Sequence, residues 1–189
     1  ACTDALNRLF EKQEADDFLL PPQGIEYAFA AFPYTDAAKT LILLLKYGSI
    51  RAAANPLANA MSARFCGKAD ILVPVPTTKH RLRERGYNQA LVLANALHPL
   101  LNLPVAPALT RRNEQASQTT LNAEERRLNL IGCMTSDASV AGKRVLLIDD
   151  VLTTGSTATE AARALRAAGA VSVSILVAAK TSQNDTPLF

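Results

Sequence analysis

The sequence predicts an α/β domain in which helices cover both faces of a parallel sheet. Two runs of branched apolar residues, Val145–Ile148 and Ile71–Val73, are too short for helices and too continuous for half-exposed strands. Such runs are typical of strands that are buried on both faces of a parallel sheet. Segments with apolar residues at helical spacing flank both runs, and this alternation is typical of α/β folds.

The first part of the chain predicts one further strand and two helices. Tyr27–Tyr34 is rich in aromatic residues and alanine, which favours a strand or part of a hairpin. Asp36–Lys46 has apolar residues at helical spacing and a cation at its end, as expected of a helix. Asn55 followed by Pro56 is a typical N-cap and first-turn pair, so a second helix is predicted from there to about Arg64.

The second part of the chain predicts two more helices and two short strands. Tyr87–Leu101 and Thr157–Ala168 both have apolar residues at helical spacing, and Gly169 is placed to cap the second of these helices. Leu103–Leu109 is a candidate for a short strand. Val171–Ala179 predicts a further strand of the sheet.

Length and composition are those of one folded domain. The chain has 189 residues, of which 49% are hydrophobic and 20% charged, and no apolar run approaches the ~18 residues that span a bilayer. No leader pattern is recognisable, so the cytoplasm is the expected location, without insertion into a membrane. The cysteines are odd in number and contain no Cys-x-x-Cys pair, which argues against a disulfide framework and against a zinc site within the chain. They are Cys2, Cys66 and Cys133.

Chemistry-bearing residues follow the run at Val145. Asp149 and Asp150 come directly after it, and a turn rich in hydroxyl groups then leads into an alanine-rich segment. Ligands of open α/β sheets bind where the loops leave the carboxyl ends of the strands. Gly155 would let the backbone approach a phosphate closely, and the following helix would present its positive end. The candidate phosphate ligands are Thr153, Thr154, Gly155, Ser156 and Thr157.

The acidic pair predicts a second type of ligand beside that phosphate. Carboxylates repel a phosphate, but they suit the vicinal hydroxyls of a ribose or a magnesium ion with its waters. Together the turn and the pair indicate a sugar phosphate. An ordinary polar turn after a buried strand is the alternative. A Walker B strand is a further alternative, but the Gly-x-x-x-x-Gly-Lys-Ser/Thr loop that it requires does not occur in the sequence.

A basic segment, predicted to be a loop, follows the other buried run. Pro74 and Pro76 end the strand because proline has no N–H to donate, and Lys79–Arg85 then carries four permanent cations and one carboxylate. If this segment leaves the sheet at the same edge as Asp149, a pyrophosphate is the ligand that matches its charge. The alternative is a solvated basic face of a helix, and a metal-binding role for His80 is not expected. The candidate pyrophosphate ligands are Thr77, Thr78, Lys79, Arg81 and Arg85.

A long polar stretch, Thr110–Leu130, contains few large apolar residues and is predicted to be a loop at its start. Long polar loops within compact domains are often lids over a site, although an exposed loop and helix without a role is the alternative. The candidate residues of this flexible loop are Arg111, Arg112, Gln118 and Arg127.

The thirteen residues Val145–Thr157 resemble the phosphoribosyl-pyrophosphate (PRPP) motif of type I phosphoribosyltransferases, with a strand, an acidic pair and a phosphate loop in order. Further segments narrow the resemblance to the competence-F (ComF) family of predicted amidophosphoribosyltransferases, over roughly Ile25–Ala179. The segments that carry it are Leu45-Lys46-Tyr47, Val73–Pro76, Arg83–Ala90, Leu109–Arg111, Gln118, Leu121, Arg127 and Asn129-Leu130.

The resemblance implies a fold and a set of roles. It implies a twisted, mainly parallel sheet flanked by helices, with a small N-terminal appendage. It also implies pyrophosphate binding after Pro76, a mobile catalytic loop over Thr110–Arg127, and Mg²⁺ that arrives with PRPP. Members of the family often begin with a cysteine-rich zinc finger. Cys2 is then a candidate remnant of such a module, in a division of the chain into residues 1–24, 25–180 and 181–189.

The leading hypothesis is therefore a Mg²⁺-dependent, PRPP-binding, phosphoribosyltransferase-like protein that transfers or senses the 5-phosphoribosyl group. Asp149, Asp150 and Arg111 are its candidate catalytic residues, and the nitrogen acceptor is not named by any residue. A homodimer is left open. The alternative, from another class, is a non-catalytic competence factor that binds single-stranded DNA or PRPP during DNA uptake. Its support is local basic clustering, since the formal net charge is only +3.

Overall fold

The computed structural model describes residues 20–47, 51–112 and 132–181, and these form a parallel sheet with helices on both faces. The strand order of the four-stranded sheet is β1-β6-β5-β2, and every neighbouring pair is parallel. A two-stranded antiparallel sheet, β3-β4, lies apart from it. The strands are β1 (Ala28–Pro33), β2 (Ile71–Pro74), β3 (Leu109–Arg111), β4 (Met134–Ser136), β5 (Arg144–Leu152) and β6 (Ser172–Lys180).

The helices pack on the two faces of this sheet. They are α1 (Asp36–Tyr47), α2 (Ala54–Arg64), α3 (Lys79–Arg85), α4 (Gln89–Leu101) and α5 (Ser156–Ala167). Buried residues of α1, α2 and α4 form one hydrophobic core on the sheet, and α5 contributes to the core on the opposite face. The predicted parallel α/β architecture is thus confirmed. None of the described helices is long and apolar enough to cross a bilayer.

Strand β5 lies between β6 and β2 and contributes side chains to the hydrophobic cores on both faces of the sheet. Val145 and Leu147 pack on the side of α5, whereas Leu146 and Ile148 pack on the side of α1, α2 and α4. All four side chains are buried, as predicted for a strand that is covered on both faces. At its start, the Asp70 carboxylate accepts hydrogen bonds from the backbone and the guanidinium of Arg144, which joins the beginnings of β2 and β5.

One predicted helix boundary was wrong. Asn55 is not an N-cap, because a 3-10 turn at Arg51–Ala53 runs directly into α2 and the helix already begins at Ala54. The predicted end of the strand at Pro74–Pro76 is confirmed: β2 ends at Pro74, which pairs with Ile148. The Val75 N–H makes the last bond, to the Ile148 carbonyl at 2.9 Å.

Three further differences concern the segments around the predicted site. Asp149 and Asp150 lie within β5 rather than after it, because pairing with β6 continues to Leu152. The segment 103–109 is not a separate strand; Val105 forms an isolated bridge to Leu72, and β3 begins only at Leu109. Strand β1 pairs in parallel with β6 and is not part of a hairpin. The predicted polar loop does not begin at Thr110, because Thr110 and Arg111 belong to β3. Its residues from 113 onwards, and Cys2, lie outside the described residues.

Candidate functional site

The turn between β5 and α5, the predicted phosphate loop, holds its glycine in a left-handed conformation. Gly155 is the N-cap of α5 and has a φ of 76°, a left-handed conformation that glycine adopts without strain. A Cβ atom at Gly155 would lie only 2.8 Å from Cγ of Pro22. The segment around Pro22, near the start of the described residues, therefore packs over this turn. Thr153 and Thr154 are exposed beside it, and the Thr154 and Ser156 hydroxyl oxygens are 3.0 Å apart. The turn therefore presents hydroxyl groups at the positive end of a helix.

The acidic pair lies at the carboxyl end of the same strand. The Asp149 carboxylate accepts a hydrogen bond from the Asp150 backbone N–H at 2.9 Å. Burial, together with the neighbouring Asp150 charge, raises the pKa of Asp149 to about 8. Two adjacent acidic groups are thus held where the sheet ends, directly before the phosphate loop.

Sequence reasoning missed the partner of this pair, Lys46. Its ammonium lies 3.0 Å from Oδ2 of Asp150, and the side chains of Lys46 and Asp150 are only 12% and 14% exposed. Lys46 is in the last turn of α1, about a hundred positions away in sequence. Its place in the Leu45-Lys46-Tyr47 segment was the available signal, but the pattern indicated only a favourable cation at a helix end.

The basic segment begins beside the acidic pair. Strand β2 is the neighbour of β5, and its last bonds reach Ile148, the residue before Asp149. Thr77 and Thr78 follow, and the Thr78 hydroxyl oxygen caps α3 by accepting the Arg81 N–H at 3.2 Å. The structure thus brings the start of the predicted pyrophosphate segment to the edge of the sheet that carries the acids.

The cations of this segment are helical and differ in their surroundings. Lys79–Arg85 forms α3 rather than a loop, and Lys79, Arg81 and Arg83 are exposed. Arg85 is half-buried: its guanidinium lies 4.8 Å from the centre of the Tyr47 ring and donates to the Tyr47 hydroxyl at 3.2 Å. The Gln89 amide also accepts from Arg85 in the orientation that satisfies both groups. Arg85 therefore joins α3 to the end of α1.

The residues after α3 support the site. The Tyr87 hydroxyl donates to the Leu45 carbonyl at 2.5 Å, and the Arg51 guanidinium lies 4.9 Å from the centre of the Tyr87 ring. Asn88 caps α4 through the Ala90 N–H and donates from its amide to the Val75 carbonyl at 2.9 Å. This segment links α1, the end of β2 and α4 to one another.

Comparison with known proteins decides the family to which this site belongs. The family described as "Phosphoribosyl transferase domain" matches residues 87–187, more than half of the chain. The chain belongs to this family. The match includes the acidic pair and the phosphate loop, and it confirms the resemblance inferred from Val145–Thr157.

Curated relatives of this phosphoribosyl transferase domain carry competence and DNA-utilization names. Competence protein ComFC of Bacillus subtilis is 34% identical over 155 residues, covering 77% of this chain and 60% of that protein. The DNA utilization protein YhgH of Escherichia coli K12 is 34% identical over 113 residues, covering 59% of this chain and 50% of that protein. The chain thus spans about half to three fifths of the length of these relatives.

The chain is also similar, at low identity, to solved structures of phosphoribosyltransferases. A glutamine PRPP amidotransferase from Bacillus subtilis has a TM-score of 0.48 and 21% identity, with 66% of this chain and 26% of that chain covered. An adenine phosphoribosyltransferase from Leishmania donovani has a TM-score of 0.42 and 13% identity, with 100% of this chain and 88% of that chain covered.

The β3–β4 hairpin carries the remaining candidates of this phosphoribosyl transferase domain. Arg111 is half-buried at the end of β3, opposite Met134, and Arg112 is exposed after it. Gln118 and Arg127 lie outside the described residues. Two hydrogen bonds join the hairpin to α5. The buried Glu160 carboxylate accepts the Met134 N–H at 3.0 Å, and Arg163 donates to the Met134 carbonyl at 3.0 Å.

Proposed function

We propose that this chain binds PRPP together with Mg²⁺ and transfers or senses its 5-phosphoribosyl group, with the acceptor not assigned. The observation that carries the proposal is the direct succession, within the segment matched by the family, of an acidic pair, a turn with left-handed Gly155 and the start of α5. We also propose that residues 25–180 form the phosphoribosyltransferase-like domain, between an N-terminal segment (1–24) and a polar tail (181–189).

In this proposal the turn at 153–157 holds the 5′-phosphate. The backbone at Gly155 and the start of α5 supply N–H groups, and the threonine and serine hydroxyls supply further donors. A dianionic phosphate gains most from this environment because both the donors and the helix dipole favour negative charge. The acidic pair would accept hydrogen bonds from the ribose hydroxyls, which lie one sugar away from that phosphate.

The segment from Thr77 to Arg85 is the proposed pyrophosphate site. Thr77 and Thr78 follow the end of β2, which pairs with β5 up to Ile148, the residue before the acidic pair. Lys79 and Arg81 are exposed in the first turn of α3 and add positive charge. Arg85 is held against Tyr47, so its proposed contribution is electrostatic and structural rather than a flexible contact.

Magnesium fits this arrangement as an ion that accompanies the ligand. Among the described residues, no group of three or more histidine, cysteine or acidic side chains is placed to hold a metal ion. Asp150 is already paired with the Lys46 ammonium, so the oxygen donors that Mg²⁺ prefers would come mainly from the ligand and from water. When bound with PRPP, Mg²⁺ would neutralise part of the pyrophosphate charge.

Transfer from PRPP places positive character on C1 of the ribose as the bond to pyrophosphate breaks. The charged Asp150 carboxylate would then stabilise the sugar through its negative potential, with the Asp149 carboxyl beside it as a hydrogen-bond partner, and the cations of α3 would stabilise the departing anion. Arg111 and the polar stretch that begins at Arg112 are proposed to cover the site and exclude water. Exclusion of water would favour transfer over hydrolysis of the donor.

The proposal predicts that Asp150→Asn weakens PRPP binding by at least about tenfold, because the neutral amide loses charge-assisted hydrogen bonds to the sugar. Isothermal titration calorimetry with PRPP and Mg²⁺ measures this. Glu26→Gln is the matched control, since it neutralises an exposed carboxylate just before β1 and should leave the affinity unchanged. Unchanged affinity in Asp150→Asn would contradict the assignment. Pyrophosphate release with a panel of nitrogen acceptors separates transfer from sensing.

A second candidate function is binding of single-stranded DNA. It is supported by the exposed cations of α3 and by the competence and DNA-utilization names of the relatives. Titrating a labelled oligonucleotide at several salt concentrations, with and without PRPP, distinguishes the two functions. Salt-sensitive DNA binding that PRPP does not displace, without pyrophosphate release, would favour this candidate.

A further inference from the structure

Lys46 is the residue of the site to which sequence analysis gave no role. Its ammonium lies 3.0 Å from Oδ2 of Asp150, with little solvent exposure on either side chain. We infer that Lys46 is a specificity-determining residue: it holds Asp150 ready for the hydroxyl groups of a sugar and keeps divalent cations off the acidic pair. The sugar part of this inference rests on the proposed function, whereas the exclusion of cations does not.

The backbone around Lys46 is held from both sides. The carbonyl of the preceding residue, Leu45, accepts the Tyr87 hydroxyl at 2.5 Å. The ring of the following residue, Tyr47, is covered by the Arg85 guanidinium at 4.8 Å and hydrogen-bonded to it at 3.2 Å. A surface lysine loses considerable side-chain entropy when it is fixed in one ion pair. Here the flanking contacts fix the end of α1, so the ammonium is directed at Asp150.

The charge of Lys46 decides which ligand the pair can accept. A dehydrated or partly hydrated divalent cation requires carboxylates whose negative charge is not already compensated. An ammonium at 3.0 Å supplies that compensation and repels a second cation. Neutral hydroxyl groups meet no such repulsion, and they donate best to a carboxylate that the ammonium already holds charged and in one position. The Lys46–Asp150 pair therefore disfavours a divalent cation and favours the hydroxyl groups of a sugar.

The test uses two probes with the full chain: Mg²⁺ alone, and ribose 5-phosphate in the presence of a chelator. The wild-type chain should bind ribose 5-phosphate and show no calorimetric binding of Mg²⁺ to the pair. Lys46→Met should gain Mg²⁺ binding and lose about tenfold in ribose 5-phosphate affinity, the equivalent of one charge-assisted hydrogen bond. Lys46→Arg should behave as the wild type, because the positive charge is retained.

Two further variants make the result specific. Lys39→Met removes a positive charge from the same helix and should change neither binding. The double variant Lys46→Met/Asp150→Asn removes both charges of the pair. It should fold without an uncompensated carboxylate and should lose the Mg²⁺ binding that Lys46→Met gained.

Both changes in Lys46→Met are required. Loss of sugar affinity without a gain of Mg²⁺ binding would mean that Lys46 is only structural, and this result would overturn the inference. Binding of Mg²⁺ alone by the wild-type pair would overturn it as well. Failure of the wild-type chain to bind ribose 5-phosphate, with Mg²⁺ binding gained in Lys46→Met, would overturn the proposed function and support the exclusion of cations.

Discussion

Gly155 shows how one residue can serve both the fold and the site. It is the N-cap of α5 with a φ of 76°, and the absence of a side chain leaves room for the Pro22 ring. Gly142 has a similar φ of 71°, but a Cβ atom there would meet nothing within 4 Å. Gly142 is therefore required only for its left-handed backbone, whereas Gly155 is required both for its backbone conformation and for the space that it leaves to Pro22.

We expect Gly155→Ala to lower the free energy of unfolding by more than Gly142→Ala does. Both variants bear the strain of a left-handed alanine, about 1 kcal/mol. Gly155→Ala also forces a Cβ atom against a rigid proline ring, which adds about 1–3 kcal/mol of overpacking. Urea unfolding measures the difference, and PRPP affinity should fall only in Gly155→Ala. Equal destabilisation of the two variants would show that Pro22 moves aside.

Asp149 is the residue whose titration is most altered by its surroundings. Burial and the Asp150 charge raise its pKa from 3.8 to about 8, and the Lys46 ammonium opposes this shift only in part. Between these two pKa values the folded chain binds a proton that the unfolded chain has released. The free energy of unfolding contributed by this group is therefore highest at acidic pH and falls as the pH rises towards 8.

The corresponding prediction compares the wild type with Asp149→Asn. The wild type should become less stable between about pH 5 and about pH 8.5, whereas the variant should lose most of this slope, because its amide does not titrate. Chemical denaturation at several pH values measures both. Parallel slopes in the two proteins would show that Asp149 is already ionised in the folded chain at low pH.

At the scale of elements, α5 couples the phosphate loop to the β3–β4 hairpin. Glu160 is buried in α5, and Arg163 donates to it through Nε at 2.7 Å and through Nη2 at 2.8 Å. Burial raises the pKa of Glu160, but hydrogen bonds from Arg163 and the backbone outweigh this effect and hold that pKa below its ordinary value. The helix that begins at the proposed phosphate site therefore also holds β4, the strand that pairs with the Arg111-bearing β3.

We expect Glu160→Gln to loosen this hairpin more than the main sheet. The variant loses the charge-assisted bonds to Arg163, and because Arg163 is 47% exposed the loss should be about 1–2 kcal/mol, below that of a fully buried pair. Hydrogen exchange should accelerate at Met134 and along β3, and remain slow in β5. An equal increase throughout the molecule would show that the pair stabilises only the whole fold.

At the scale of the whole molecule, the two hydrophobic cores meet at β5. One face carries α1, α2 and α4, and the other carries α5 and the hairpin. The elements that hold the proposed ligand groups come from both faces: Lys46 from the first and the turn at Gly155 from the second. The site is consequently assembled only when both layers have packed on the sheet.

The sequence alone determined the parallel α/β architecture, the location of the acidic pair and the turn that follows it. Those features are local: burial on both faces appears as a continuous apolar run, and a glycine among hydroxyl residues marks a special turn. Tertiary structure decided that β5 continues past the acidic pair to Leu152, that Lys79–Arg85 is a helix, and that Lys46 binds Asp150. These depend on neighbouring strands and on contacts between distant segments, and a charged side chain at the end of a helix does not indicate which carboxylate it will meet.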